Sequence, residues 1–342
     1  MDTTQICNRE TTVMTDAEMI SQKDKNEVIR MGSVRQYNRN GVMIIGVDNG
    51  YGNTKCVHRT FPTGVIRSRE KPAFSKDVLE FDGYFYIIGE GHKEFVPEKV
   101  VDEDFYILTL AAVAIELKER GVNGGRVHLA VGLPLKWVKE QRKAFQKYLL
   151  QNEHVEYNYK GEAYSVDFVD CTVMPQCYAA VAENLREFMG LTMLADVGNG
   201  TVNIMQLNNG RAAESKSWTE NFGMHHCFKM VQGAVSDKTG ISMPDEVIEN
   251  FLRTAVADAG EKYNAVMEQA AKQYAEGVFK LLREHGYVED VMKLHFMGGG
   301  AGIIQKYGSY EESRTTFDPD IRATVKGYEY YCYGTMSSFS TN

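Results

Sequence analysis

The sequence has no Cys-x-x-Cys pair among its six cysteines, Cys7, Cys56, Cys171, Cys177, Cys227 and Cys332. That spacing excludes a usual zinc framework and a secreted disulfide scaffold, so reduced, buried thiols are expected. Long hydrophobic runs are missing too. The longest, residues 107–115, follows Asp102, Glu103 and Asp104 and is far too short to span a bilayer. No membrane contact is expected. Basic charge is not in excess: the formal net charge is −8. A broad nucleic-acid footprint would need clustered Lys and Arg, so direct nucleic-acid contact is not expected. Residues 1–40 contain no apolar core of a signal peptide, and a cytoplasmic location is expected.

What is present suits a soluble α/β protein. The 342 residues, 43% apolar and 25% charged, suffice for two domains with a large core. Residues 1–40 are polar and aperiodic and are predicted to form a disordered tail, with Met31 or Met43 as alternative starts. The ordered pattern begins with the buried strand 42–47, followed by a turn and a return strand over 53–58. A further hairpin turns at Asp82-Gly83. Helices are predicted over 103–120, 136–150 and 176–189, with strands at 126–131 and 167–173 between them. The second half repeats the opening: strand 191–195, turn 196–200, return strand 201–207. Helices then follow over 223–235, 244–256 and 260–284, then strand 291–296 and helix 301–307.

Three glycine-bearing turns carry the candidate chemistry. The first is Asp48-Asn49-Gly50-Tyr51-Gly52-Asn53-Thr54-Lys55. Glycines let backbone N–H groups approach an anion. Asn53 and Thr54 add donors, Lys55 a point charge for phosphate, and Asp48 a carboxylate suited to hydrated Mg²⁺. The second is Asp196-Val197-Gly198-Asn199-Gly200-Thr201, with the same kit of carboxylate, two glycines and hydroxyl. The third is Gly298-Gly299-Gly300-Ala301, between an apolar strand and a helix, where a flat ring or ribose can approach the backbone. Each alone also reads as a plain turn. The first two, both at strand ends, could face one another across a cleft. His225-His226 lacks a third ligand at a metal-site spacing and reads as a helix face. The aromatic run Tyr328-Glu329-Tyr330-Tyr331-Cys332-Tyr333 reads as a subunit contact or a packed C-terminal helix.

In this order the three turns resemble the phosphate 1, phosphate 2 and adenosine motifs of the actin, sugar kinase and heat-shock chaperone ATPase superfamily. Pro175-Gln176 stands where that superfamily has its first connecting segment. The opening strand and Asn221-Phe222-Gly223-Met224 most resemble the bacterial ParM/StbA group of plasmid-segregation actins. The resemblance implies an actin-like, ribonuclease-H-like duplicated fold of two domains with a nucleotide cleft between them. Domain I would span 41–175 and be completed by 322–342; domain II would span 176–321. It implies an ATPase that forms nucleotide-dependent filaments and reaches DNA through a DNA-binding adaptor protein. ATP, or GTP as the alternative, and Mg²⁺ would be the cofactors. Asp48, Gly50, Asn53, Thr54, Lys55, Gly198, Gly200, Thr201, Gly298, Gly299 and Gly300 would hold the nucleotide. Asp48 and Asp196 would hold Mg²⁺, largely through water. Asp196 and Gln176 would be catalytic, with Gln176 positioning the water. Plasmid relatives often carry Glu there; an amide is no strong base, which implies slow hydrolysis by positioning. Ribose contacts would lie in 244–251, with Glu246 and Glu249 as candidates. The alternatives are a sugar-type kinase, using Asp102, Asp104 or Asp167 near its acceptor, and a regulatory ATP-binding module without turnover.

Overall fold

The computed structural model describes residues 26–31, 34–91 and 103–338. Strands β1 (Asn26–Met31), β2 (Val34–Arg39) and β3 (Val42–Asn49) lead into β4 (Asn53–Lys55), β5 (Thr60–Pro62), β6 (Val65–Ser68), β7 (Val78–Phe81) and β8 (Tyr84–Ile88). Helix α1 (Asp104–Glu119), β9 (Gly124–Leu133), α2 (Leu135–Leu149), β10 (His154–Tyr159) and β11 (Glu162–Pro175) complete this part. After a short helix α3 (Tyr178–Val181) come β12 (Leu191–Val197), β13 (Val202–Asn208) and β14 (Arg211–Glu220). Helices α4 (Met224–Thr239), α5 (Asp245–Thr254) and α6 (Glu261–Glu284) precede β15 (Lys293–Met297), α7 (Ala301–Tyr307), β16 (Thr315–Phe317) and α8 (Ala323–Ser338).

Two mixed sheets result. The first runs β1-β2-β3-β9-β11-β10-β7-β8-β6, with β4 paired to the end of β3 and β5 to β4. The second runs β14-β13-β12-β15-β16. Strands β3, β9 and β11 are parallel, as are β12, β15 and β16. Ligands of open α/β sheets bind beyond the carboxyl ends of parallel strands. Asp48, Gln176 and Asp196 all stand at such ends. Helix α1 is buried at every position from Phe105 to Leu117. Apolar all round, it has no solvent face to offer and becomes the centre of the first core. The second core gathers α4, α5, α6 and α7 on the second sheet. Among the described residues no helix is long and apolar enough to cross a membrane. Cys56, Cys171, Cys177, Cys227 and Cys332 are free and buried; Cys7 lies outside the described residues.

Two expectations are corrected. Residues 26–31 and 34–39 are not tail but paired antiparallel strands at the sheet edge; residues 1–25 lie outside the described residues. The hairpin enters β3 through Asn40 and Gly41, both at positive φ, the geometry of a tight two-residue turn. Its anchor is distant in sequence: the Tyr37 ring lies 5.1 Å from that of Tyr333 on α8. The helix predicted over 176–189 is broken. Cys177 sits at φ 70, and only Tyr178–Val181 and a 3₁₀ turn at Leu185–Glu187 remain helical. The Gln176 N–H is spent on the Leu133 carbonyl at 2.9 Å, so sheet bonding persists to that residue.

Helix α8 returns the chain end to the first sheet, packing on α3, β2, β3 and β9. The contact is charged inside. Glu329, 1% exposed, accepts from the Gly46 N–H at 2.8 Å. Arg120 lies 3.7 Å away and donates to the Ile44 carbonyl at 2.8 Å. Burial outweighs Arg120 and lifts the Glu329 pKa to about 8. A carboxyl held above its ordinary value stabilises the fold at low pH. That contribution is lost as pH rises from about 4.5 through about 8. Glu329→Gln keeps an acceptor for Gly46 and removes the titration. We expect it to raise stability at pH 8.5 by on the order of 2 kcal/mol, with little effect at pH 4.5. Urea unfolding at both pH values checks this.

Candidate functional site

The site consists of two copies of one turn. In the first, Asp48 pairs across the hairpin with Lys55, and the Gly50 N–H closes the loop on the Asn53 carbonyl at 3.1 Å. In the second, Asp196 pairs with Asn203, and the Gly198 N–H closes the loop on the Thr201 carbonyl at 2.9 Å. The two match position for position, Asp48 with Asp196 and Lys55 with Asn203. They also touch. A Cβ on Gly52 would lie 2.8 Å from the Asn199 side chain, so glycine is required where the turns meet.

One hydrogen-bonded chain joins the two sheets. Lys55 Nζ lies 3.1 Å from Asp48 Oδ2. Gln176 Nε2 donates to Asp48 Oδ1 at 3.0 Å. Asn203 Nδ2 donates to Gln176 Oε1 at 3.4 Å, and Thr219 Oγ1 donates to Asn203 Oδ1 at 2.9 Å. Asp48 is 3% and Asp196 8% exposed, so both carboxylates are held away from bulk water. Burial, opposed by Lys55 and reinforced by Asp48, lifts the Asp196 pKa to about 6. Burial alone would lower the Lys55 pKa, but Asp48 and Asp196 together raise it. Lys55 is therefore a permanent cation between two carboxylates.

The candidate residues do not all play the parts their types suggest. Asp48, Lys55, Gln176 and Asp196 converge. Asn53 is exposed at the loop. Thr54 is fully buried on the opposite face of β4; its hydroxyl lies 3.0 Å from that of Thr63, which donates to the Gly50 carbonyl at 2.7 Å. Thr54 thus braces the turn. The Gly50 and Gly198 N–H groups are likewise used within their own turns. Gly200 and Thr201 lie in the second loop, where the Gly223 N–H reaches the Gly200 carbonyl at 3.3 Å. Of the third motif, Gly298 is pressed on Asp196: a Cβ there would lie 2.4 Å from Oδ1. Gly300 packs against Val197 and Met224, and only Gly299 faces open space. Glu246 and Glu249 are exposed on α5. His225 and His226 are exposed beside Phe228 and Phe222. Among the described residues no group of three His, Cys, Asp or Glu could hold a metal. Asn203, Thr219 and Thr63 complete the site and were not candidates from their types alone.

Residues 46–178 match the family model described as the actin-like proteins' N-terminal domain, and residues 194–307 match that of the archaeal actin homologue MreB-like C-terminal domain. The chain belongs to the actin-like proteins. The apo crystal structure of psk41 ParM is similar over 88% of this chain and 100% of that one, at 17% identity and a TM-score of 0.66. The ADP complex of the archaeal actin homologue Ta0583 covers 84% and 98%, at 20% identity and a TM-score of 0.64. The Alp12 filament structure covers 86% and 98%, at 15% identity and a TM-score of 0.60. No curated protein sequence matches the chain. Such identities establish the actin-like fold, and the paired turns are where its two halves meet.

The donor set fits Mg²⁺ and a polyphosphate. Mg²⁺ takes few carboxylates, keeps much of its water and completes its shell with phosphate oxygens. The two buried carboxylates, Asp48 and Asp196, beside Lys55 suit that demand.

Proposed function

We propose that this actin-like chain is an ATPase that holds Mg²⁺·ATP between its two hairpin turns and assembles into filaments under nucleotide control. The observation that carries the reading is the continuous path Lys55–Asp48–Gln176–Asn203, which ties both turns to the strand end bearing Gln176. Asp48 and Asp196 would hold Mg²⁺, largely through water, and the ion would neutralise charge on the β- and γ-phosphates. Lys55 would share that task. Gly299 would leave room beside the adenine. Gln176 would orient the attacking water; its amide takes no proton, so turnover is slow and rests on positioning. The ADP bound to Ta0583 and the Alp12 filament support an adenine nucleotide and self-association. Segregation of plasmid or other DNA through an adaptor agrees with the net charge of −8. The sugar-kinase alternative gains nothing from Asp167, whose exposed carboxylate pairs with His154 at 2.7 Å.

Light scattering of the purified chain tests this reading. A rise with Mg²⁺·ATP that decays as ATP is consumed is expected, without any sugar. Scattering indifferent to nucleotide would remove the filament from the account. Gln176→Ala should lower kcat about 10-fold while ATP affinity changes less than about 3-fold, because water positioning acts mainly in the transition state. Steady-state phosphate release and fluorescent-nucleotide titration separate the two quantities.

A further inference from the structure

Tyr328 on α8 has no exposed surface, and its hydroxyl makes no well-formed hydrogen bond, although the Gln176 and Asp48 side chains lie within its reach. A buried donor left this way is costly unless another state of the molecule uses it. Its place is set by β9. A Cβ on Gly132 would lie 2.0 Å from the hydroxyl oxygen, so glycine alone leaves room for the ring. On β9, Val131 stands opposite Val47 of β3, and Gly132 opposite Met174 of β11. The hydroxyl therefore lies in the row between Asp48 and the strand end that carries Gln176. Burial, then the charges of Asp48 and Asp196, hold this phenol far from ionisation, with Gln176 opposing and the nearby Asp48 carboxylate adding to the effect. It remains an O–H donor.

The ring cannot easily withdraw. Gly327 is pressed on α3, where a Cβ would lie 1.7 Å from the Ala179 carbonyl oxygen. Glu329 is bound to the Gly46 N–H. The Gln176 side chain, by contrast, is held only by other side chains. Its Nε2 is spent on Asp48 and its Oε1 on Asn203. To offer its amide N–H to a water, Gln176 must release Asp48 Oδ1, and the buried carboxylate loses that donor.

We propose that Tyr328 is a positioning residue: its hydroxyl donates to Asp48 when Gln176 turns from Asp48 to the attacking water. The inference rests on the ATPase reading and adds a residue from the C-terminal helix to it. It makes Gln176 a two-position side chain whose released partner is caught by α8.

Tyr328→Phe in the full chain tests it. The substitution removes a buried oxygen that makes no well-formed hydrogen bond, so the thermal midpoint of the nucleotide-free protein should stay the same or rise. We expect kcat for phosphate release to fall about 10-fold with KM within about 2-fold. In a Gln176→Ala background the same substitution should change kcat by less than about 2-fold, because the step it serves is gone. Equal losses in both backgrounds, or a kcat loss matched by a lowered thermal midpoint, would overturn the proposal. If the wild type turns over and Tyr328→Phe equals it, this inference alone fails. If the wild type releases no phosphate from ATP, the ATPase reading fails first and takes this inference with it.

Discussion

Asp196→Asn is expected to lower kcat for phosphate release by about 10²–10⁴-fold, since it removes the carboxylate that would orient water and metal. The same change should stabilise the nucleotide-free protein. Asp196 is held at a pKa of about 6 against an ordinary 3.8. Its contribution to stability is complete below the ordinary value and is lost as pH rises through about 6; above that, the fold carries a buried charge. Asparagine carries none. Above pH 7 the variant should be more stable by about 2–3 kcal/mol, and this gain should vanish near pH 4. The wild type has a matching kinetic mark. The form that would hold the metal is the ionised one, so kcat/KM for Mg²⁺·ATP should rise with pH through about 6 and then level off. Phosphate release from pH 5 to 8 and urea unfolding at the two extremes check both halves. A less active variant with no gain in stability would mean that Asp196 is not a buried charge awaiting a metal.

Lys55→Met should have the second-largest effect. Lys55 is the cation between Asp48 and Asp196, and methionine keeps much of its volume. Without it, two buried carboxylates face each other, and the nucleotide-free protein should lose about 3 kcal/mol at pH 7.5. ATP affinity should fall about 10–100-fold through the lost charge-assisted contact to phosphate. The rising limb of the pH profile should also move upward, because the charge that lowers the Asp196 pKa is gone. A solvated surface lysine would show none of the three. Nucleotide titration together with the pH profile distinguishes the cases.

The legible parts of the sequence were those whose chemistry is local. Asp48 and Asp196 could be read because each ends an apolar strand and enters a glycine turn. The helix over Asp104–Glu119 could be read because its apolar run is bounded by charge. Strands β1 and β2 mix apolar and polar residues with no long apolar run, and β2 is held by Tyr37 on Tyr333, nearly the whole chain away. Its entry into β3 carried a signal nonetheless, the Asn40-Gly41 pair. Asn203 had a signal too. Aligning the two Asp-x-Gly turns puts it where Lys55 stands, a polar residue inside the apolar strand Val202–Asn208. Thr54 misled because a hydroxyl beside a phosphate-type lysine looks like a donor. Strand alternation puts it on the other face, where Thr63 takes it. The place of Tyr328 depends on α8 packing where Gly132 leaves room for its ring, and no local pattern carries that contact.

The central claim is that both turns grip one nucleotide. A crystal structure of the chain with Mg²⁺ and a non-hydrolysable ATP analogue tests it most directly. The phosphates are expected between the loops 50–53 and 198–201, with Mg²⁺ within one water of Asp48 and Asp196. A nucleotide bound elsewhere, or touching one turn while the other stays joined to it through Gly52 and Asn199, would contradict it.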